Sequence, residues 1–92
     1  MNFEWNLEKN TENIRKHGIS LASAARVFQD ENRLEYYDEI HSYAEDRYYT
    51  IGLVEDVIYV VYTERNYNIR LISARIATAK ERKLYYDSIY KF

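Results

Sequence analysis

The chain has 92 residues, 47% of them hydrophobic, with no cysteine, no proline, two glycines and a formal charge of −2. That size suits a single domain over 1–92 that buries a core without disulfides, and it excludes thiol chemistry, a P-loop and a flexible linker. The charge argues against a general nucleic-acid binder, because phosphate contacts are driven by cations, but it is unevenly spread: residues 29–64 hold two basic against ten acidic residues, and residues 65–92 hold seven against two.

An opening strand is expected over residues 2–5, followed by a helix over 7–16. Asn6 suits the N-cap, Gly18 the left-handed position past the C-terminus, and Ser20 the cap of a second helix. At about 100° per residue, Leu7 and Ile14 project to one side of the first helix, and Lys9, Asn13 and Lys16 form a stripe nearly opposite with His17 at its edge. That polar stripe should not face the core. It reads either as an ordinary solvated face or as a row able to hold a phosphate and move a proton.

Leu21, Ala24, Ala25 and Phe28 recur at helical spacing, which predicts a helix over 21–29. Residues 34–37 are a short strand candidate and residues 43–53 a longer one rich in Tyr, Ile and Thr. The run 57–63 lacks clean alternation, so it should lie centrally with both faces partly covered. A connection with Asn66, Tyr67 and Asn68 leads to a strand over 69–76. Thr78-Ala79-Lys80-Glu81 is a capping box, opening a helix on which Glu81, Leu84, Tyr85, Ser88, Ile89 and Phe92 share a side. The order β-α-α-β-β-β-β-α predicts an α+β fold, an antiparallel β-sheet with helices packed on one face and the other available for recognition.

Strand alternation puts Thr63 with Arg65 and Ser73 with Arg75. Convergence of Arg47, Arg65 and Arg75 is an expectation that depends on register. Two histidines outside any HExxH spacing make a transition-metal site unexpected, and no cofactor is called for. His41, in the acidic loop 38–46, reads as a solvated residue. No basic leader opens the chain and no run approaches the roughly 18 apolar residues needed to span a bilayer, so a soluble, cytoplasmic protein with no membrane partner is expected.

Several fragments recur in a specific order: Phe3-Glu4-Trp5; Lys9 and Asn13 leading into Lys16-His17-Gly18-Ile19-Ser20; Val27-Phe28; Glu45-Asp46-Arg47 with Gly52; Val60 to Arg65; Arg70 to Ala77; and Glu81 with Tyr85. With these, nearly the whole chain resembles the BrnT-type toxins of bacterial type II toxin–antitoxin systems, small ribonucleases with a RelE-like fold. Asn6 stands where the family pattern has Asp, and it still caps a helix. The resemblance implies an endoribonuclease that blocks translation, is held in check by a cognate BrnA-like antitoxin, and meets DNA only through that antitoxin.

Metal-independent RNA cleavage needs a base for the 2′-hydroxyl, cationic donors around the phosphate and an acid for the departing 5′-oxygen. Arg65 and Arg75 are the candidates for phosphate clamping, since a guanidinium donates two bonds to non-bridging oxygens. Arg47 and Lys9 complete the expected pocket, and His17 is the leading acid or base, with Glu45 a second proton carrier. Lys16 and Asn13 are candidate substrate contacts, and Tyr49 and Tyr67 candidate base-stacking residues. A plainer reading pairs Arg47 and Arg65 with Glu45 or Glu64. The alternative function is a non-catalytic module that binds a basic or DNA-binding protein through the acidic middle segment. Direct duplex-DNA binding is weakest, since no helix carries a dense basic face.

Overall fold

The computed structural model describes residues 1–90, so Phe92 of the final helical face lies outside the described residues. In chain order the elements are β1 (Phe3–Glu4), α1 (Leu7–His17), α2 (Leu21–Ala24) continuing as a 3₁₀ turn (Ala25–Gln29), β2 (Leu34–Tyr37), β3 (Arg47–Val54), β4 (Asp56–Arg65), β5 (Asn68–Ile76) and α3 (Ala79–Ile89). The sheet order is β1-β5-β4-β3-β2. Strands β2 to β5 form an antiparallel meander, and β1 adds in parallel to β5, making the sheet mixed.

Local chemistry sets the helix ends. Asn6 accepts from the Lys9 backbone N–H at 3.0 Å, and Gly18, at φ 69°, closes α1 by donating to the Ile14 carbonyl at 2.8 Å. Thr78 and Glu81 form the reciprocal capping box of α3. The third strand starts at Arg47 rather than residue 43, because Ser42 Oγ accepts from Arg47 N–H at 2.9 Å and donates to the Asp38 carbonyl at 2.6 Å, tying residues 38–46 into a loop.

The core has two parts because the sheet is covered on both sides. Leu21, Ala24 and Val27 pack on Ile58, Val60, Tyr62, Leu71 and Ala74 of one face. On the other face Tyr85 and Ala77 pack with Ile51 and Val57, joined by Leu34, Tyr36, Tyr59 and Ile89. The expectation of helices on one face therefore holds for α1 and α2 only; α3 caps one end of the opposite face. Gly52 permits the close approach of the 3₁₀ turn to β3, since a Cβ there would stand 2.7 Å from Val27 Cγ2.

Lys9 and Lys16 of the polar stripe face solvent as expected, but α1 docks through Asn13 and not through its aliphatic side. Leu7 and Ile14 are 77% and 45% exposed, whereas Asn13 is 5% exposed. Beyond the two-residue β1, the edge of β5 has no strand partner at Ala74, and an amide supplies one. Asn13 accepts from Ala74 N–H at 3.0 Å and donates to the carbonyls of Ala74 at 2.9 Å and Ile19 at 2.8 Å. Asn10 accepts from Leu21 N–H at 2.8 Å. Satisfying buried backbone groups outweighs burying two aliphatic side chains at this contact.

Candidate active site

On the face opposite α1, register brings together residues distant in sequence. Tyr36 pairs with Tyr49, and Tyr59 lies between Ile51 and Arg75. Stacked ring centroids lie 5.1 Å apart for Tyr36 and Tyr49 and 4.9 Å for Tyr49 and Tyr59. The row ends in a cation, with the Arg75 guanidinium 4.0 Å from the Tyr59 ring centroid. Burial pushes the pKa of both Tyr49 and Tyr59 up, so each remains a phenol that can donate a hydrogen bond at neutral pH.

Glu81, on the first turn of α3, accepts two bonds from Arg75, at 2.8 and 3.0 Å. Those bonds hold the Glu81 carboxyl below its ordinary range despite partial burial. The same carboxylate accepts from Thr78 N–H at 2.9 Å, so a single side chain both caps the helix and fixes the arginine.

Between this row, the loop after β2 and the start of α3 lies an open groove of about 690 Å³. Tyr36, Tyr49 and Tyr59 contribute to its floor, Asp38, Ile40 and His41 to one wall, and Thr78, Lys80 and Leu84 to the other. His41 Nδ1 lies 2.8 Å from Asp38 Oδ2. Burial pushes the Asp38 carboxyl up, but hydrogen bonds from the His41 side chain and backbone outweigh it and hold Asp38 low. A neutral imidazole donating through Nδ1 to a carboxylate presents Nε2 as a proton acceptor. The groove thus combines a carboxylate-oriented imidazole, a lysine and phenol donors with the carboxylates of Asp38, Glu39 and Glu81; Arg75 does not line it and meets it through Glu81 and the Tyr59 ring. Among the described residues no three His, Asp or Glu side chains gather as metal ligands.

The expected convergence of three arginines does not occur. Arg47, Arg65 and Arg75 share the face, but Arg65 stands six positions along β4 from Tyr59, the partner of Arg75, or about 20 Å. Arg65 Nη2 donates to both carboxylate oxygens of Glu45, at 2.9 and 3.1 Å, the plainer of its two readings. Arg47 is half-buried beside Thr63 and forms no ion pair among the described residues. Tyr49 is in the groove floor, and Tyr67 is at the tip of the β4–β5 turn.

Lys9, Lys16 and His17 are exposed on α1, which packs on the other side of the sheet. Lys16 Nζ lies 3.5 Å from Glu12, and His17 lines a separate cavity of about 270 Å³ with Arg26, Glu55 and Asp56. Asn13 is saturated by backbone groups and offers no atom to a ligand. The stripe on α1 and the groove are different places, which removes these four residues from the site around Arg75.

Asp38, Lys80, Tyr36 and Tyr59 are groove residues that sequence reasoning left out, while His41, expected to be solvated, is exposed and also lines the groove. A signal for the Asp38–His41 pair was present: Asp38 precedes His41 by three positions, the spacing at which a carboxylate meets both the backbone and the ring of a following histidine. The tyrosines carry no local signal, since strand alternation gives their parity but not their partners.

Residues 5–81 match the family described as the ribonuclease toxin, BrnT, of type II toxin–antitoxin systems. No curated protein matches the chain. Among solved structures, the 1.1 Å crystal structure of the Brucella abortus ribonuclease toxin, BrnT, superposes with a TM-score of 0.69. The two are 23% identical, over 85% of this chain and 97% of that one, a likeness that bears on the fold.

Proposed function

The chain belongs to the BrnT family of ribonuclease toxins of type II toxin–antitoxin systems, and from that premise we propose that it is a metal-independent endoribonuclease acting in the groove between loop 38–41 and α3. In the proposed reaction, His41 Nε2 takes the proton of an RNA 2′-hydroxyl, held in orientation by Asp38. The 2′-oxygen forms a bond to the adjacent phosphorus as the bond to the 5′-oxygen breaks, leaving a 2′,3′-cyclic phosphate and a 5′-oxygen that takes a proton from water in the open groove, to which His41 then releases its own. Arg75 steadies the charge on the non-bridging oxygens, helped by Lys80 and the phenols of Tyr49 and Tyr59. In this scheme Glu81 positions Arg75 and does not touch the substrate.

The observation that carries the reading is an Asp-bonded histidine on one wall of the groove, with a carboxylate-fixed arginine at the end of the tyrosine row that floors it. The family membership supports the substrate class. Cleavage of messages in the cytoplasm would block translation, and a BrnA-like antitoxin would neutralise the chain and carry any DNA contact.

The test is cleavage of unstructured RNA by the purified chain in EDTA. Wild type is expected to leave cyclic-phosphate ends. Arg75→Ala is expected to cleave about 10²- to 10³-fold more slowly, with an unchanged circular dichroism spectrum and retained antitoxin binding. Wild-type cleavage only after metal addition would overturn metal independence, and full activity of Arg75→Ala would overturn the site. Antitoxin binding with no cleavage under any condition would make the chain the non-catalytic module.

A further inference from the structure

The far end of the open face carries a second cluster that the groove does not use. We infer that Tyr67, Arg65 and Arg70 form a separate contact for single-stranded RNA flanking the cleaved bond, an inference that rests on the reading of the groove as an RNA-cleaving site.

Register places the cluster on the right face. Arg65 pairs with Asn68 and Thr63 with Arg70, all on the side of the sheet that bears Tyr59 and Arg75. Arg70 reaches that side only because the β4–β5 ladder shifts between Val61 and Tyr62, leaving Ile72 as an extra residue. Without that irregularity, alternation would put Arg70 on the face of Ala74, under α1. Between the cluster and the groove, Thr63 is buried beneath the Asp46 carbonyl to which its hydroxyl donates, whereas Arg70, Ser73 and Val61 are half-buried, so the path connecting the two ends runs along the β5 side.

The turn that ends β4 is built in an unfavourable way. Asn66 and Tyr67 both have positive φ, 53° and 67°, in a two-residue connection. Asn-Gly is the comfortable pair for such a turn, and a bulky residue at the second position is uphill. Tyr67 nevertheless stands there and is fully exposed, at 104% of its reference area. Its ring contributes nothing to the core. What a solvated aromatic ring on a hairpin tip can do is stack on another flat ring.

The neighbouring groups fit the remaining parts of a nucleotide. A single nitrogen of Arg65, Nη2, donates to Glu45, and the Arg70 guanidinium donates to Glu4 at 2.6 Å. Both pairs are partly exposed, a setting in which ion pairs are weakly held. A phosphate accepts from a guanidinium in planar geometry and with a larger charge. The separation of about 20 Å between Arg65 and the groove cannot be bridged by one phosphate. It suits a strand of about four nucleotides, the lower end of the footprints seen for small single-strand binders. Substrate length should therefore matter.

The experiment compares binding of 2′-O-methyl RNA oligonucleotides, which cannot be cleaved, of about 3 and about 12 nucleotides, by fluorescence anisotropy. Loss of one stacked base corresponds to a weakening of roughly 5- to 100-fold. Tyr67→Ala and Arg65→Ala are each expected to lose that much affinity for the long oligonucleotide and none for the short one, while Tyr67→Phe keeps wild-type affinity. Equal losses at both lengths, or unchanged binding of the long oligonucleotide by Tyr67→Ala, would sink the inference while leaving the groove intact. So would variants that keep RNA affinity but lose the antitoxin, which would assign the cluster to a protein interface. Wild type binding neither oligonucleotide would overturn the RNA reading itself.

Discussion

Helix α1 and the groove contain similar chemistry put to opposite uses. Each has a histidine and a lysine, and each has polar groups of a kind that hold anions. On α1 the histidine ends a helix, the lysines are solvated and the asparagine is tied to three backbone groups of β5 and the α1–α2 connection. In the groove the histidine and lysine are exposed as well, but the histidine is oriented by Asp38 and faces Lys80 across the row of tyrosines that ends in Arg75. A compact string of polar residues in a sequence is thus weak evidence for a site. Local polar groups are as readily consumed in satisfying a strand edge, whereas a site gathers groups from a loop, four strands and a helix.

Exchanging the two histidines tests that contrast most directly. His41→Gln is expected to lower single-turnover RNA cleavage by about 10²- to 10⁴-fold, the range for removing a positioned proton carrier. His17→Gln should stay within about twofold, as for a surface change outside the chemistry. If the order came out reversed, the proton carrier would belong on α1 and the groove would be only a binding surface.

The second difference is structural. Asn13→Ala strands Ala74 N–H and two carbonyls, and a buried backbone group without a partner costs about 1–3 kcal/mol. Allowing for partial relaxation and water entry, a loss of about 2–4 kcal/mol is expected in urea unfolding, against less than about 0.5 kcal/mol for Lys9→Ala or Lys16→Ala. Asn13→Leu should not rescue, because it restores volume but no hydrogen bond. Rescue by leucine would mean that α1 docks by apolar packing after all.

The parts of the fold that could be read from the sequence are those fixed within a few residues. Asn6, Gly18, Ser20 and the Thr78–Glu81 box mark helix ends by local bonds. The central position of β4 follows from its unbroken apolar run. The burial of Asn13 in place of Leu7 and Ile14 is not legible, because periodicity weighs side chains by hydropathy and takes no account of the unpaired edge of β5 that Asn13 completes. The site was less legible still. Arg75 could be named as a clamp, but its partners Tyr59 and Glu81 come from cross-strand register and from the placement of α3 on the second face. The shift at Ile72, which decides the face of Arg70, leaves no mark in the pattern of residue types.

The smallest expected effect concerns the pair that joins the groove to α3. Arg75 bonds hold the folded Glu81 carboxyl below its unfolded value of about 4.3. A depressed carboxyl contributes stability that is complete above that unfolded value and is lost as pH falls through the lower folded one. The carboxylate is also an acceptor for Thr78 N–H, so its protonation loosens the helix cap and the arginine together. Wild type should therefore lose about 1 kcal/mol, the upper end for a partly exposed pair, between pH 4.3 and the folded pKa. Arg75→Ala should show a shallower acid limb over the same window in urea titrations at stepped pH. Parallel limbs would mean that the arginine rests on Tyr59 alone, and that α3 does not set the geometry on the groove side as His41 and Asp38 set it on the loop side.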